Sequence, residues 1–260
     1  QVAEGTLIPV AAIDEAGEAA RLSPTTKLTE ESGQWRLTGS KQWISAGASA
    51  THLAVLANSA TGLAWVLVSV DTEGVSREIY PTHDGRGGAS VKFDVGLDDA
   101  QIIATGEIAQ DALTAYRELA MVLSSAETLG ATQAALDTTV DYTKQRIQFG
   151  QPLASFQALQ HRMSNMLIQT ELTRSLVYFA CDAADDGHAD RGRFARAAKV
   201  KAATVGRKVS QEAIQLHGGI ATTDEYIVGH FFKRITALES WVCSKGEALK
   251  EFVALPAEQY

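Results

Sequence analysis

The sequence has no apolar run of about 18 residues, the length a helix needs to cross a bilayer, and no secretory leader pattern. These absences point to a soluble cytoplasmic chain. Cysteine is scarce: Cys181 and Cys243 are the only two in 260 residues. Neither has CxxC spacing or histidine partners, so free thiols in a reducing compartment are expected. Positive charge is also short, with 23 Lys and Arg against 31 Asp and Glu and a net charge of -8. Binding to nucleic acid or to an anionic membrane needs clustered cations, so neither partner is expected. Any anionic ligand must instead meet a local basic site. Apolar residues are abundant, 45% of the chain, with little low-complexity sequence; the length allows one or two globular domains.

The texture of the chain changes once, near residue 106. Before that point, short β-rich runs (TLIPVAAI, WRLTGSKQWIS, HLAVLA, AWVLVSV, VSREIY, ASVKFDV) alternate with the turn stretches ESGQ, NSATG, DTEG and HDGRGG. That spacing predicts a β-barrel or sandwich over residues 1–106. Over residues 107–260 the strand signals vanish and four helices are predicted. The first runs from Ala112 to Arg146 with Asp111 as N-cap, and the second begins after Ser155, whose side chain can cap it. The third runs from Arg191 to Leu216 and is stopped by Gly218-Gly219; the fourth runs from near Asp224 to Phe252. Strands first and long helices after imply an α+β chain whose helical half is an antiparallel four-helix bundle. The strand that opens the chain, with no cap or lead-in before it, suggests a fragment or the loss of an earlier domain.

Four stretches carry a family resemblance: KQWISAG (Lys41 to Gly47), GRGGASVKFDV (Gly85 to Val95), RIQFGQPLASFQALQHRM (Arg146 to Met163) and QLHGGIATTDEY (Gln215 to Tyr226). In order and rough spacing, and over nearly the whole chain, the sequence resembles the acyl-CoA dehydrogenases. The resemblance implies a middle β-domain followed by a four-helix bundle, with the family's amino-terminal helical domain absent. It implies FAD as cofactor, an acyl-CoA substrate, and an electron-transfer flavoprotein or similar acceptor. It extends to subunits of heterotetrameric actinobacterial enzymes of steroid side-chain degradation, which implies a homologous partner in an α2β2 assembly.

FAD carries two phosphates and an adenine, so its protein needs a fixed cation, backbone amides and flat apolar faces. The resemblance sets Arg146, Gln148 and Phe149 against the adenosine pyrophosphate of a flavin held mainly by a neighbouring subunit, with Gln215, Gly218 and Gly219 on the same dinucleotide. The plain alternatives are a helix-terminal cation, a core phenylalanine and a helix stop. Trp43 and Ser45 stand where the family has a tryptophan and a hydroxyl beside the isoalloxazine; the alternative for Trp43 is an ordinary place in the β-domain core.

Two departures from the family pattern concern chemistry. The stretch Ile13 to Ser23, IDEAGEAARLS, replaces the usual Thr-Glu-Pro-Gly loop that lines flavin and substrate. The glutamate that takes the α-proton in many members corresponds to Val242, and the other position used for it, on the first bundle helix, corresponds to Ala120. On that helix Tyr116, Ala120, Leu123, Glu127, Ala131 and Ala134 recur at three- and four-residue steps, so Glu127 is expected to project from an apolar stripe. Burial there would raise its pKa and suit a general base worth roughly 10² to 10⁴ in rate. The competing reading is a carboxylate paired with a neighbouring cation in the bundle or a subunit interface. Glu239, within one turn of Val242, is a second candidate. His161, His217 and His230 lack the i, i+4 spacing of a helical metal site, and no metal is expected. The functional readings are therefore an acyl-CoA dehydrogenase subunit with its own base, or a partner that completes another subunit's flavin pocket.

Overall fold

The computed structural model describes residues 1–17, 23–31 and 33–255. The chain forms two units, Gln1–Ala115 and Tyr116–Tyr260.

The first unit contains β1 (Pro9–Ala12), β2 (Lys27–Glu31), β3 (Gln34–Ser45), β4 (His52–Ser59), β5 (Gly62–Ser69), β6 (Val75–Pro81), β7 (Gly87–Leu97) and β8 (Ile102–Thr105). They form one sheet in the order β6-β7-β3-β2-β4-β5-β8, with β1 running parallel to β4. β7 alternates strictly: Val91, Phe93, Val95 and Leu97 enter the core while Lys92 and Asp94 face out. This is the period of two expected of a half-buried strand. β4 and β5 are buried almost continuously because both faces are covered. Leu53, Val55, Val66 and Val68 join the main core. Leu56, Leu63 and Trp65 pack on Ala109 and Leu113 of the following helix, where the Trp65 indole donates to the Ala109 carbonyl at 3.1 Å.

That helix, α1, runs from Gly106 to Gln145, so Asp111 is an interior residue rather than its N-cap. The second unit continues with β9 (Ile147–Gln148), β10 (Gln151–Pro152), α2 (Gln157–Asp185), α3 (Arg191–His217), α4 (Ile227–Ser240) and α5 (Lys245–Ala254). α3 supplies Ala195 and Ala198 to one core cluster and Val205, Val209, Ala213 and Leu216 to a second. A Cβ at Gly206 would stand 2.7 Å from Thr128 and 3.1 Å from Ile235, so only glycine lets α3 approach α1 and α4 this closely.

Two further helix expectations are corrected. Ser155 does not cap α2: it lies in a 3-10 turn, its hydroxyl donates to the Pro152 carbonyl at 2.7 Å, and Phe156 holds the cap position. The predicted fourth helix is two helices, broken at Trp241–Ser244. Three devices make the break. Val242 takes φ 70°, which a β-branched residue adopts only under constraint. The buried Lys199 ammonium donates to the Leu238 carbonyl at 2.6 Å and the Trp241 carbonyl at 2.9 Å, satisfying both itself and the orphaned end of α4. Ser244 and Glu247 then form a reciprocal capping box that starts α5.

Candidate functional site

In the helical unit, the Arg146–Met163 segment opens as a hairpin. The Arg146 amide closes the last turn of α1 on the Tyr142 carbonyl at 2.8 Å, and the Leu153 amide returns to the Arg146 carbonyl at 2.9 Å. Gln148 pairs with Gln151 across the tip, where Phe149 and Gly150 take φ 53° and 80°. Positive φ at both central residues is the geometry of a tight type I′ hairpin. Phenylalanine is an expensive choice there, since a left-handed backbone costs an L-residue roughly 1–2 kcal/mol. Its ring nevertheless stands 90% exposed, and Phe156 meets it edge-on at 6.1 Å. Phe149 is thus no core anchor. Arg146 and Gln148 are exposed beside it.

α3 ends at His217, and Gly218 turns the chain away with φ 68° and ψ -147°. Gly218 and Gly219 are exposed, and a Cβ on either would meet no atom within 4 Å. Gln215 is exposed one turn earlier. Beneath them His217 is buried, its Nδ1 2.7 Å from the Ala213 carbonyl and its Nε2 without a well-aligned hydrogen bond among the described residues. Burial pushes its pKa below the ordinary 6.5, against the opposing pull of the Ala213 and Thr138 carbonyls. The Tyr142 ring stacks on the imidazole at 4.3 Å, and its hydroxyl donates to the His217 carbonyl at 3.3 Å. Tyr226 lies 5.1 Å from the imidazole, ring centre to ring centre. The hairpin and the Gly218-Gly219 turn therefore meet through Tyr142, a residue the motif reading passed over. Its signal was modest: an aromatic four residues before Arg146 at the end of a helix.

In the β unit, β3 bulges against β7 between Lys41 and Ile44. The bulge throws Trp43 outward at φ 55° and 69% exposure, so Trp43 is not part of the β core. Tyr80 of β6 meets its ring edge-on at 6.3 Å. Ser45, half-buried, pairs with Gly88. The turn that follows is held by Arg77, which donates to the Gly47 carbonyl at 3.1 Å and the Ala50 carbonyl at 3.0 Å.

Of the loop Ile13 to Ser23, residues 18–22 lie outside the described residues. Its base is fixed. Glu15 accepts from the backbone and hydroxyls of Thr25 and Thr26 and from the Lys41 ammonium at 2.6 Å, in a pair that is almost wholly buried. Burial would raise the Glu15 pKa, but Lys41 and the two threonines outweigh it and hold the carboxyl at about 2. The Asp14 carbonyl accepts from the Gln42 amide at 2.8 Å, tying the same loop base to the residue before Trp43.

Glu127 does not project from a buried stripe. Leu123, Glu127 and Gly130 are exposed in this chain, and the Glu127 carboxylate faces the Arg234 guanidinium of α4 through both oxygens, at 2.7 and 2.8 Å. The geometry matches the paired-carboxylate alternative rather than a carboxylate buried in an apolar stripe. Ala120 is buried. Val242 occupies the strained break. Glu239 is bound to Arg207, with the Arg207 Nε at 2.5 Å. Among the described residues no group of three His, Cys, Asp or Glu could hold a metal ion, and no helix is long and apolar enough to cross a membrane.

A β unit followed by a helical unit, each carrying an exposed aromatic on left-handed backbone, defines the class to which comparison with known proteins now gives a name. Residues 14–96 match the model of the acyl-CoA dehydrogenase middle domain, and residues 109–242 match that of the acyl-CoA dehydrogenase C-terminal domain. The chain belongs to the acyl-CoA dehydrogenase family. It is 29% identical over 242 residues to the probable acyl-CoA dehydrogenase FadE25 of Mycobacterium tuberculosis, covering 89% of this chain and 62% of that protein. It is 38% identical over 133 residues to acyl-CoA dehydrogenase IpdE2 of the same organism, covering 51% of this chain and 40% of that protein. Among solved structures, a variant of the Tcur3481-Tcur3483 steroid ACAD superposes with a TM-score of 0.86 at 28% identity, covering 97% of this chain and 68% of that one. The chain thus spans less than two thirds of the length of these two curated relatives.

Proposed function

We propose that this chain is a subunit of an FAD-dependent acyl-CoA dehydrogenase, that each of its two units offers residues for flavin binding that a homologous subunit completes, and that the partner supplies the carboxylate that takes the substrate proton. One observation carries the reading. Valine and alanine hold positions 242 and 120, while the nearest candidate, Glu127, has both oxygens engaged by Arg234. A carboxylate in that fork has both oxygens turned toward a guanidinium, which orients it to a cation rather than to a substrate C–H bond.

The residues present fit the cofactor. Arg146 offers a cation for a pyrophosphate, and the exposed Phe149 ring offers a flat apolar face beside it. The open Gly218-Gly219 backbone allows close approach of a ligand, and the exposed Gln148 and Gln215 amides can donate or accept. In the β unit, the Trp43 indole can cover an isoalloxazine face and the Ser45 hydroxyl can donate to it. When bound, FAD supplies the acceptor for the β-hydride in α,β-dehydrogenation of an acyl-CoA thioester. Strained, solvent-facing aromatics such as Phe149 and Trp43 are placed at a cost to the fold, which supports a ligand role. The likeness to the steroid ACAD supports a steroid side-chain CoA ester as substrate and an α2β2 assembly, with an electron-transfer flavoprotein or similar acceptor as oxidant.

The test is to purify the chain alone and together with a homologous acyl-CoA dehydrogenase subunit, then measure flavin content and bleaching by acyl-CoA. The chain alone is expected to hold little FAD and to show no bleaching, whereas the complex is expected to hold FAD and to bleach. Stoichiometric FAD and bleaching in the lone chain would overturn the proposal. A second reading, in which Glu127 is itself the base, draws on its 39% side-chain exposure, which leaves it reachable.

A further inference from the structure

We propose that Tyr142 is a positioning residue that couples the Arg146–Phe149 hairpin to the Gly218-Gly219 turn, so that both parts of the dinucleotide face move as one piece. The inference rests on the flavin-site reading for its purpose, while the coupling itself rests on geometry within the helical unit.

Three contacts of one residue make the connection. Its backbone carbonyl receives the Arg146 amide at 2.8 Å, the last helical bond before the hairpin. Where Tyr142 sits therefore fixes where Arg146 and Phe149 leave the helix. Its hydroxyl donates to the His217 carbonyl at 3.3 Å. That carbonyl sits at the junction where α3 ends and a 3-10 turn over Gly218–Thr222 begins, with His217 as its N-cap. Its ring lies against the imidazole at 4.3 Å and 29°. The imidazole cannot slide away from this stack, because Nδ1 is bound to the Ala213 carbonyl and Tyr226 packs near it at 5.1 Å.

The Gly218-Gly219 turn opens a 3-10 turn, Gly218–Thr222, held within itself by contacts such as the Thr222 hydroxyl donating to the Gly219 carbonyl at 2.8 Å, and Tyr142 adds its tie to α1. Neither glycine has an atom within 4 Å of where a Cβ would be, and Gly218 uses a backbone conformation that confers no rigidity of its own. The hairpin is likewise exposed from Arg146 to Pro152. Two solvent-facing segments distant in sequence are thus fastened to one half-buried tyrosine. A core tyrosine with no such role would need only an apolar ring, whereas this one directs its hydroxyl at the helix end from which the turn departs.

The experiment compares the native hetero-oligomer with Y142F, which removes only the hydroxyl, and Y142L, which also removes the ring. Amide hydrogen exchange of residues 146–152 and 217–223 is measured without added flavin, and FAD affinity is measured by fluorescence titration. Y142F is expected to speed exchange at 217–223 and weaken FAD binding about three- to tenfold, the scale of one neutral hydrogen bond. Y142L is expected to speed exchange in both segments together and to weaken FAD further. Native exchange at 217–223 in Y142F, or native FAD affinity despite faster exchange, would overturn the proposal. If the native complex takes up no FAD, the flavin-site reading fails, and the exchange data still decide whether Tyr142 couples the two segments.

Discussion

Glu127 of α1 and Arg234 of α4 form a two-pronged ion pair, Oε1 to Nε at 2.7 Å and Oε2 to Nη2 at 2.8 Å. The side chains keep 39% and 19% of their exposure. Solvent screening at that exposure limits the pair to roughly 0.2–1 kcal/mol. Urea unfolding of Glu127→Gln is expected to show a loss of about that size. A loss of several kcal/mol would mean the pair is a main strut of the helical unit, and Glu127 could no longer be judged by its effect on chemistry alone.

The Glu15–Lys41 pair is different in kind, because the two side chains are 3% and 0% exposed. Lys41→Met leaves a buried carboxylate without its cation and is expected to cost about 3–5 kcal/mol. Glu15→Gln combined with Lys41→Met removes both charges and should recover a large part of that loss. Denaturant midpoints of the two variants check this; equal losses would show that the charges are not coupled.

Stability should fall with acid in two separate windows. Glu15 has a folded pKa of about 2 against an ordinary 4.5. Its contribution is present above pH 4.5 and is lost as pH falls from 4.5 toward 2, because the unfolded chain takes up the proton first. His217 is also lowered, from 6.5, by burial. The unfolded histidine again binds the proton first, so the helical unit is at full stability above pH 6.5 and weakens as pH falls below it. Hydrogen exchange followed against pH is expected to show opening of the helical unit beginning near 6.5 and of the β unit only below about 4.5. His217→Phe should abolish the first window; persistence of that window would assign it to another group.

Phe149→Gly separates fold from function. Relief of the left-handed backbone should leave stability unchanged or raise it by about 1 kcal/mol, since the exposed ring buries little. FAD retention in the proposed hetero-oligomer should fall in the same variant. A lower melting temperature with unchanged FAD would assign the ring to the fold instead.

Much of this architecture was readable from residues 9–12, 34–45 and 52–97, where apolar alternation and turn clusters mark the strands. β2, with the sequence KLTEE, was not legible, because its polarity hides the buried Leu28. The break between α4 and α5 was missed because no glycine or proline announces it; a tertiary contact from Lys199 imposes it. The face of α1 was misread for a related reason. Its buried side carries Ser125, Thr128, Thr132 and Thr139, whose hydroxyls bond the carbonyl one turn back, at 2.7, 2.7, 2.7 and 2.6 Å. Hydroxyls satisfied in this way pack as apolar groups, so hydrophobic periodicity pointed to the wrong stripe and turned Glu127 inward. The exposed Phe149 and Trp43 were found only through motif likeness, since their significance lies in backbone angles that composition does not reveal.

The central claim is that the chain shapes a flavin site without supplying its base. Stopped-flow bleaching of the flavin by acyl-CoA, in the hetero-oligomer carrying Glu127→Gln, tests it most directly. The account predicts a bleaching rate within about twofold of native. A fall of roughly 10² or more, the scale of a lost general base, would contradict it and make Glu127 the catalytic residue.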